Sequence, residues 1–165
     1  MITGILSDTH NNLNNLQLAL QLFRERGVTT LVHCGDMTSP DTAAALAGFQ
    51  VIYTLGNGDI ASGEIRHVLM ELNPNSYVGM VYRGTIDGVR IAVTHGHLPG
   101  QVESLIRSGE HDYVFRGHSH MRQDTTTGHT RLINPGALGG RHVQPRSVCL
   151  LDTATGKVEF VDVVP

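Results

Sequence analysis

Along the first half of this chain, short apolar runs alternate with segments of helical period. Ile2–Leu6 is an apolar run of strand length. It is followed by "NNLNNLQLALQLFRERG", where Leu13, Leu16, Leu20 and Phe23 recur on one helical face. Asn11 or Asn12 is placed to cap that helix, Arg24 and Arg26 suit its last turn, and Gly27 stops it. "TTLVHC" reads as a second strand. Ser39 and Pro40 then read as N-cap and first position of a small alanine-rich helix ending near Gly48. "VIYTL" is a third strand and Ser62–Leu72 a third helix. The order βαβαβα predicts parallel strands joined by right-handed crossovers.

After Pro74 the pattern changes. "YVGMVYRGTI-DG-VRIAVTH" reads as two strands joined at Asp87-Gly88, a strong two-residue hairpin signal. A short helix (Gln101–Ser108) and a strand (Tyr113–Phe115) follow. "RQDTTTGHTRLI" and "SVCLLD-TATG-KVEFVDV" read as two further hairpins. The first half therefore predicts a parallel or mixed sheet and the second a largely antiparallel one. No linker, repeat or low-complexity tract divides them, so residues 1–165 are expected to form a single α/β domain. Two sheets face to face with helices outside is the simplest such arrangement.

Composition adds limits. A chain of 165 residues can bury roughly 70% of its unfolded surface around one core. The net charge of −3 and the absence of a basic cluster give no electrostatic support for a nucleic-acid partner. No apolar run approaches the ~18 residues that would span a membrane. "MITGILSDTH" enters a strand at residue 2, unlike a signal peptide, and Cys34 and Cys149 form no CxxC pair. Reduced thiols in a cytoplasmic protein are the expectation. Ten histidines are the one compositional oddity.

The residues that close each strand explain the histidines. The first strand ends in "SDTH" (Asp8, His10), the second in "CGD" (Asp36), the third in "GNGD" (Asn57, Asp59). Later strands end in "THGH" (His95, His97) and "GHSH" (His118, His120). Residues at i and i+2 of an extended segment point to the same side, and strand carboxyl ends line one crevice. Asp8, His10, Asp36, Asn57, His95, His118 and His120 are thus one constellation of nitrogen and oxygen donors. They are too many for one tetrahedral zinc and enough for two divalent ions. Mn²⁺ is the foremost expectation, with Ni²⁺, Fe²⁺, Zn²⁺ or Mg²⁺ as alternatives. Glycines beside Asp36, Asn57, His95 and His118 are expected to give the turns that aim these ligands.

The series D-x-H, G-D, G-N-x-D, H-G-H, G-H-x-H resembles the calcineurin-like metallophosphoesterase superfamily, above all its small single-domain bacterial and archaeal phosphodiesterases. "INPGAL" (Ile133–Leu138) is similar to that family's later Asn-Pro-Gly turn. The resemblance implies a four-layer αββα sandwich and hydrolysis of a small or nucleotide-like phosphodiester by a metal-bridging hydroxide. It implies one ion on Asp8, His10, Asp36 and His120 and a second on Asp36, Asn57, His95 and His118, with Asp36 as bridge. Many members carry histidine after the Asn of "GN" to protonate the leaving group. Here that position is Gly58, which leaves His97 either as the acid or a phosphate contact or as a support for the ligands; with Asn57 it is the catalytic candidate. Ala137 stands where a serine is common.

Other polar residues are given plainer roles. His33 is expected to be a hydrogen-bonded core residue, Cys34 a small core residue, and His67, His111 and His129 solvated. Asp59 is either a turn residue or a support for the site. Arg141, His142 and Arg146 are expected to lie off the substrate. Two other functions compete with the phosphodiesterase. A protein-binding scaffold, as in a retromer subunit of this fold, would not need seven intact ligands. A nuclease would be expected to show a basic surface. A homodimer or higher homo-oligomer is the base expectation.

Overall fold

Residues 1–165 are all described by the computed structural model of the protein. Its order begins β1 (Ile2–Leu6), α1 (Leu13–Glu25), β2 (Thr30–His33), α2 (Pro40–Ala44), β3 (Gln50–Thr54), α3 (Ser62–Leu72), β4 (Tyr77–Gly79). These four strands pair parallel and in sequence order. Crossovers of one hand that always step the same way place every helix on the same face. Accordingly Leu16, Leu20 and Phe23 of α1, Ala43 of α2 and Ile65 and Leu69 of α3 share one core with Leu6, Leu31 and Tyr53. The caps follow the sequence: Asn12 accepts the Asn15 N–H at 3.1 Å, and Ser39 precedes Pro40 at the start of α2.

The second sheet contains β5 (Val81–Ile86), β6 (Val89–Thr94), β7 (Tyr113–Phe115), β8 (Arg122–Thr127) and β9 (Thr130–Pro135), in the order β5-β6-β7-β9-β8. Helix α4 (Gln101–Arg107) covers its outer face through Val102 and Leu105. The hairpin β10 (Ser147–Asp152) and β11 (Lys157–Asp162) returns to the first sheet, with β10 antiparallel beside β1. Side chains alternate across each strand, so Ile5, Val32, Ile52 and Leu151 face the second sheet and meet Ile91, Val93, Phe115 and Ile133. Each such fully buried side chain contributes roughly 1.5–3 kcal/mol by leaving water. The result is a four-layer αββα sandwich. No helix is long and apolar enough to cross a membrane.

Three details differ from the sequence reading. "YVGMVYRGTI" is two strands: β4 pairs with β3 in the first sheet and β5 with β6 in the second, and the chain changes sheets at Met80. One straight strand cannot belong to both of two facing sheets, and Tyr77 Oη bridges the corner by donating to the Val81 carbonyl at 2.6 Å. The second sheet is mixed, because α4 carries the chain from β6 to a parallel β7, and β9 also lies parallel to β7. Helix α2 ends at Ala44. The chain then tightens into turns of i to i+3 bonds, such as Leu46 N–H to the Ala43 carbonyl at 3.0 Å, before Gly48.

Candidate metal centre

Asp8 follows β1, and its two oxygens are used differently. Oδ2 accepts the Ser7 hydroxyl at 2.6 Å and the His118 N–H at 3.0 Å. Oδ1 is buried without a hydrogen-bond partner. Three imidazole Nε2 atoms face it: His120 at 3.1 Å, His10 at 3.7 Å and His95 at 4.0 Å. Asp36, after β2, is divided in the same way. Its Oδ1 accepts the Gly58 N–H at 2.7 Å, while Oδ2 lies 3.4 Å from His95 Nε2 and 3.5 Å from His10 Nε2. Asn57, after β3, places Oδ1 3.2 Å from His95 Nε2.

The other nitrogen of two of these rings is committed to a carbonyl. His95 Nδ1 is 2.6 Å from the Cys34 carbonyl and His120 Nδ1 is 2.8 Å from the Arg141 carbonyl. A carbonyl can only accept, so each Nδ1 carries a proton and each neutral ring presents a lone pair at Nε2. Lone pairs of His95, Asn57, Asp36 and Asp8 therefore converge with no donor between them, an arrangement that suits a cation. Ligand atoms lie within 4.8 Å of one another in two groups, Asp8-His10-His120 and Asp8-Asp36-His95. This mixed nitrogen and carboxylate set fits first-row divalent metals.

Electrostatics runs the same way. Burial would raise the Asp8 carboxyl, but contacts with His10 and His120 override it and hold Asp8 far below the usual carboxylate range. Asp36 is likewise lowered against its burial, chiefly by His95. Burial pulls His95 down, yet Asp36 and Asp8 leave it raised, and contact with Asp8 raises His120. His97 and His118 are both lowered, first by burial and then by the neighbouring His95. Their rings sit 5.4 and 5.1 Å from that of His95. His97 Nδ1 is buried and unpartnered.

Five of the seven candidate ligands have left-handed backbone: Asp8 (φ 52°), His10 (45°), Asp36 (57°), His118 (69°) and His120 (59°). Such angles are uncommon outside glycine and cost about 1–3 kcal/mol each unless the surroundings impose them. The surroundings do so here. Asp8 N–H donates to the Gly35 carbonyl and His10 N–H to the Asp36 carbonyl, both at 2.9 Å. The neighbouring glycines share this work unevenly. Gly35 and Gly96 are left-handed, whereas a Cβ on Gly117 would come within 2.6 Å of Asp8 Oδ2, so closeness is what Gly117 provides.

Several supports were not singled out from sequence. Asn134 donates to the Gly117 carbonyl at 3.1 Å and holds the loop that carries His118 and His120. Gly140 lies against both His10 and His120, and Arg146 grips the Gly139 and Gly140 carbonyls at 2.6 and 2.8 Å. Arg116 lies over Gly96, donates from Nε to the Gly117 carbonyl at 3.2 Å, and makes no ion pair. His33 is buried as expected. Gly35 N–H donates to its Nδ1, so its Nε2 donates to Thr9 Oγ1 at 2.8 Å. Asp59 is buried and accepts four hydrogen bonds rather than facing the cluster. His67 is exposed beside Glu71, and His129 is exposed with a ring nitrogen 2.9 Å from the Gly109 carbonyl. His111, expected to be solvated, is buried with its ring Nε2 unpartnered, and Thr130 donates to its carbonyl at 2.7 Å.

Residues 1–156 match the calcineurin-like phosphoesterase superfamily domain, and the chain belongs to that superfamily of metal-dependent phosphoric ester hydrolases. Among individual relatives, Phosphodiesterase MJ0936 of Methanocaldococcus jannaschii is 31% identical over 166 residues, 99% of each chain. Phosphodiesterase YfcE of Escherichia coli is 27% identical over 88% of this chain and 84% of its own. The solved structure of an archaeal phosphodiesterase superposes with a TM-score of 0.92 at 30% identity, covering 98% of this chain and 99% of that one.

Proposed function

We propose that the protein hydrolyses small phosphodiesters at a centre of two divalent cations. Asp8, His10, Asp36 and His120 hold one, and Asp36, Asn57, His95 and His118 the other. The observation that carries this reading is the convergence of lone pairs around His95 Nε2 and Asp8 Oδ1 with no donor among them. Asp8 Oδ1 faces histidines of both groups, as Asp36 Oδ2 does, so two carboxylates are available for sharing. Bound divalent ions supply Lewis acidity, which lowers the pKa of water and offsets charge on phosphoryl oxygens. We take Mn²⁺ as the ion that serves best.

The chain's own groups do the rest. Asn57 is exposed and turns Oδ1 toward His95, which leaves its amide nitrogen free to donate to a phosphoryl oxygen. His97 is half-buried, and its lowered pKa keeps it neutral near pH 7. It donates a hydrogen bond to the leaving oxygen but is a weak proton source, and Gly58 supplies none. Substrates with weakly basic leaving groups are therefore favoured, which means aryl over alkyl phosphodiesters. Arg116, free of any carboxylate, is a cation beside the loop that carries His118 and His120. A scaffold role needs no convergent lone pairs, and nothing in the geometry favours it. The test is Mn²⁺ titration of purified protein with an aryl phosphodiester substrate. Two ions per chain and turnover are expected; one ion at saturation rejects the two-cation centre.

A further inference from the structure

Asp36, Met37 and Thr38 leave β2 with three successive N–H groups that reach no carbonyl. Asp36 and Thr38 are both left-handed, at φ 57° and 77°. Backbone of this kind forms a concavity of N–H dipoles that suits an anion. Here the anion comes from the next loop. Asp59 Oδ2 accepts the Asp36 N–H at 3.0 Å and Asp59 Oδ1 accepts the Thr38 N–H at 2.8 Å. The middle amide, Met37 N–H, donates to Tyr53 Oη at 3.0 Å. Tyr53 in turn donates its hydroxyl proton to Asp59 Oδ2, which also accepts the Gly56 N–H at 2.7 Å. One phenol and one carboxylate thus take all three amides. The Tyr53 ring is itself fixed, fully buried and edge-on to His33 with centroids 5.0 Å apart.

We infer that Tyr53 is a positioning residue for the metal centre. Acting through Asp59, its hydroxyl fixes the left-handed backbone at Asp36 and so the direction of Asp36 Oδ2. That oxygen lies 3.4 and 3.5 Å from Nε2 of His95 and of His10. The inference rests on the proposed role of Asp36 as a shared ligand. It also accounts for a phenol at a core position that phenylalanine would fill. A phenylalanine leaves the Met37 N–H buried without an acceptor and frees one side of the Asp59 carboxylate.

Tyr53→Phe keeps the ring and removes only the hydroxyl. Loss of an outer partner of a metal ligand typically costs about 10–100-fold in metal affinity. We expect Mn²⁺ affinity, read by calorimetry and by electron paramagnetic resonance, to fall by about that factor for at least one ion. Turnover of an aryl phosphodiester should recover with excess Mn²⁺ while KM stays unchanged. A structural role alone would lower the Tm of the metal-free protein and leave Mn²⁺ affinity as it was, and that result overturns the inference. Asp59→Asn is a second variant of the same unit. If Tyr53→Phe does not fold, Asp59→Asn must show the same selective loss, and wild-type Mn²⁺ affinity in it overturns the inference. Asp36→Asn separates the two failures. If it binds Mn²⁺ normally, the ligand assignment falls and this inference with it. If it binds weakly while Tyr53→Phe binds normally, only this inference falls.

Discussion

Asp8 and Asp87 are the same residue type in nearly the same backbone conformation, at φ 52° and 51°, and they have opposite surroundings. Asp87 turns the β5–β6 hairpin at the surface. Its Oδ2 accepts the N-terminal ammonium at 3.1 Å and the Thr153 hydroxyl at 2.7 Å. Its lowered pKa comes from those local partners. Asp8 is buried, and its Oδ1 has only imidazoles to face. At the hairpin the left-handed angle is ordinary turn chemistry, satisfied on the spot. At the strand end it serves to aim an oxygen that nothing in the chain satisfies. A left-handed aspartate therefore marks function only when its carboxylate is left wanting a partner.

Substitution at the two positions should separate them most sharply. Asp8→Asn is expected to lower phosphodiesterase activity by more than about 100-fold, beyond the loss typical of an outer partner. Steady-state kinetics with added Mn²⁺ checks this, and full rescue by metal would contradict it. Removing metal should act on the same end of the molecule. Ion at about 100 times its Kd stabilises by roughly 2.7 kcal/mol, and about 2–4 °C per kcal/mol applies at this size. A chelator should then lower the Tm of wild type by roughly 5–10 °C and leave that of Asp8→Asn almost unchanged.

The pH response of the metal-free protein gives a third, smaller contrast. Burial brings His33 down to about 4, against an ordinary 6.5. A histidine lowered in the folded state binds its proton more readily when unfolded, so stability falls as pH drops from about 6.5 toward 4. The loss from His33 is on the order of a few kcal/mol, and denaturant melts of His33→Gln should show a flatter profile over that window. His95 and His120, raised in the folded state, act oppositely. Their contribution is complete below pH 6.5 and fades as pH rises through their folded values. Gly58→Ala comes next. Gly58 does not have a positive φ, and a Cβ there would lie 3.1 Å from Asp36 Oδ1, so the carboxylate must shift by a few tenths of an ångström. A loss of about 10-fold in Mn²⁺ affinity is expected, at the low end for a disturbed ligand support. Asp87→Asn should change activity by less than about twofold and leave the denaturation midpoint almost unmoved, as for other exposed ion pairs.

Much of this was legible in the chain because strand ends are local features. Apolar runs locate the strands, and the Asp, Asn and His that follow them are visible without coordinates. Asp59 was legible as one of two readings, but the other supports were hidden for a physical reason. Tyr53 meets the Met37 N–H from a neighbouring strand, and Arg146 reaches Gly139 and Gly140 through a turn, so no spacing rule connects them. The split at Met80 was hidden because β4 and β5 are each good strand sequence; only their partners differ. Glycine turns beside the ligands were legible, and Gly35 and Gly96 are left-handed, but the left-handed angles of Asp8, His10, Asp36, His118 and His120 were not, since aspartate and histidine carry no mark of the φ they adopt.

The pairing of β1 with β10 also bears on the order of assembly. Ile2 lies opposite Asp152 and Ile5 opposite Cys149, so β1 waits for a partner strand made far later along the chain. Contacts so distant along the chain close late and slow the search for the native topology. Every candidate ligand has been synthesised once His120 is made. Leu138 and Gly139, however, still have to bond the carbonyls of Ser7 and Asp8 at 3.2 and 2.8 Å. A nascent chain halted between those points carries the whole donor set with its first sheet unclosed. Tight capture of metal should therefore wait until β10 has been made and has paired with β1, which would make ion binding a reporter of closure of the first sheet on the ribosome.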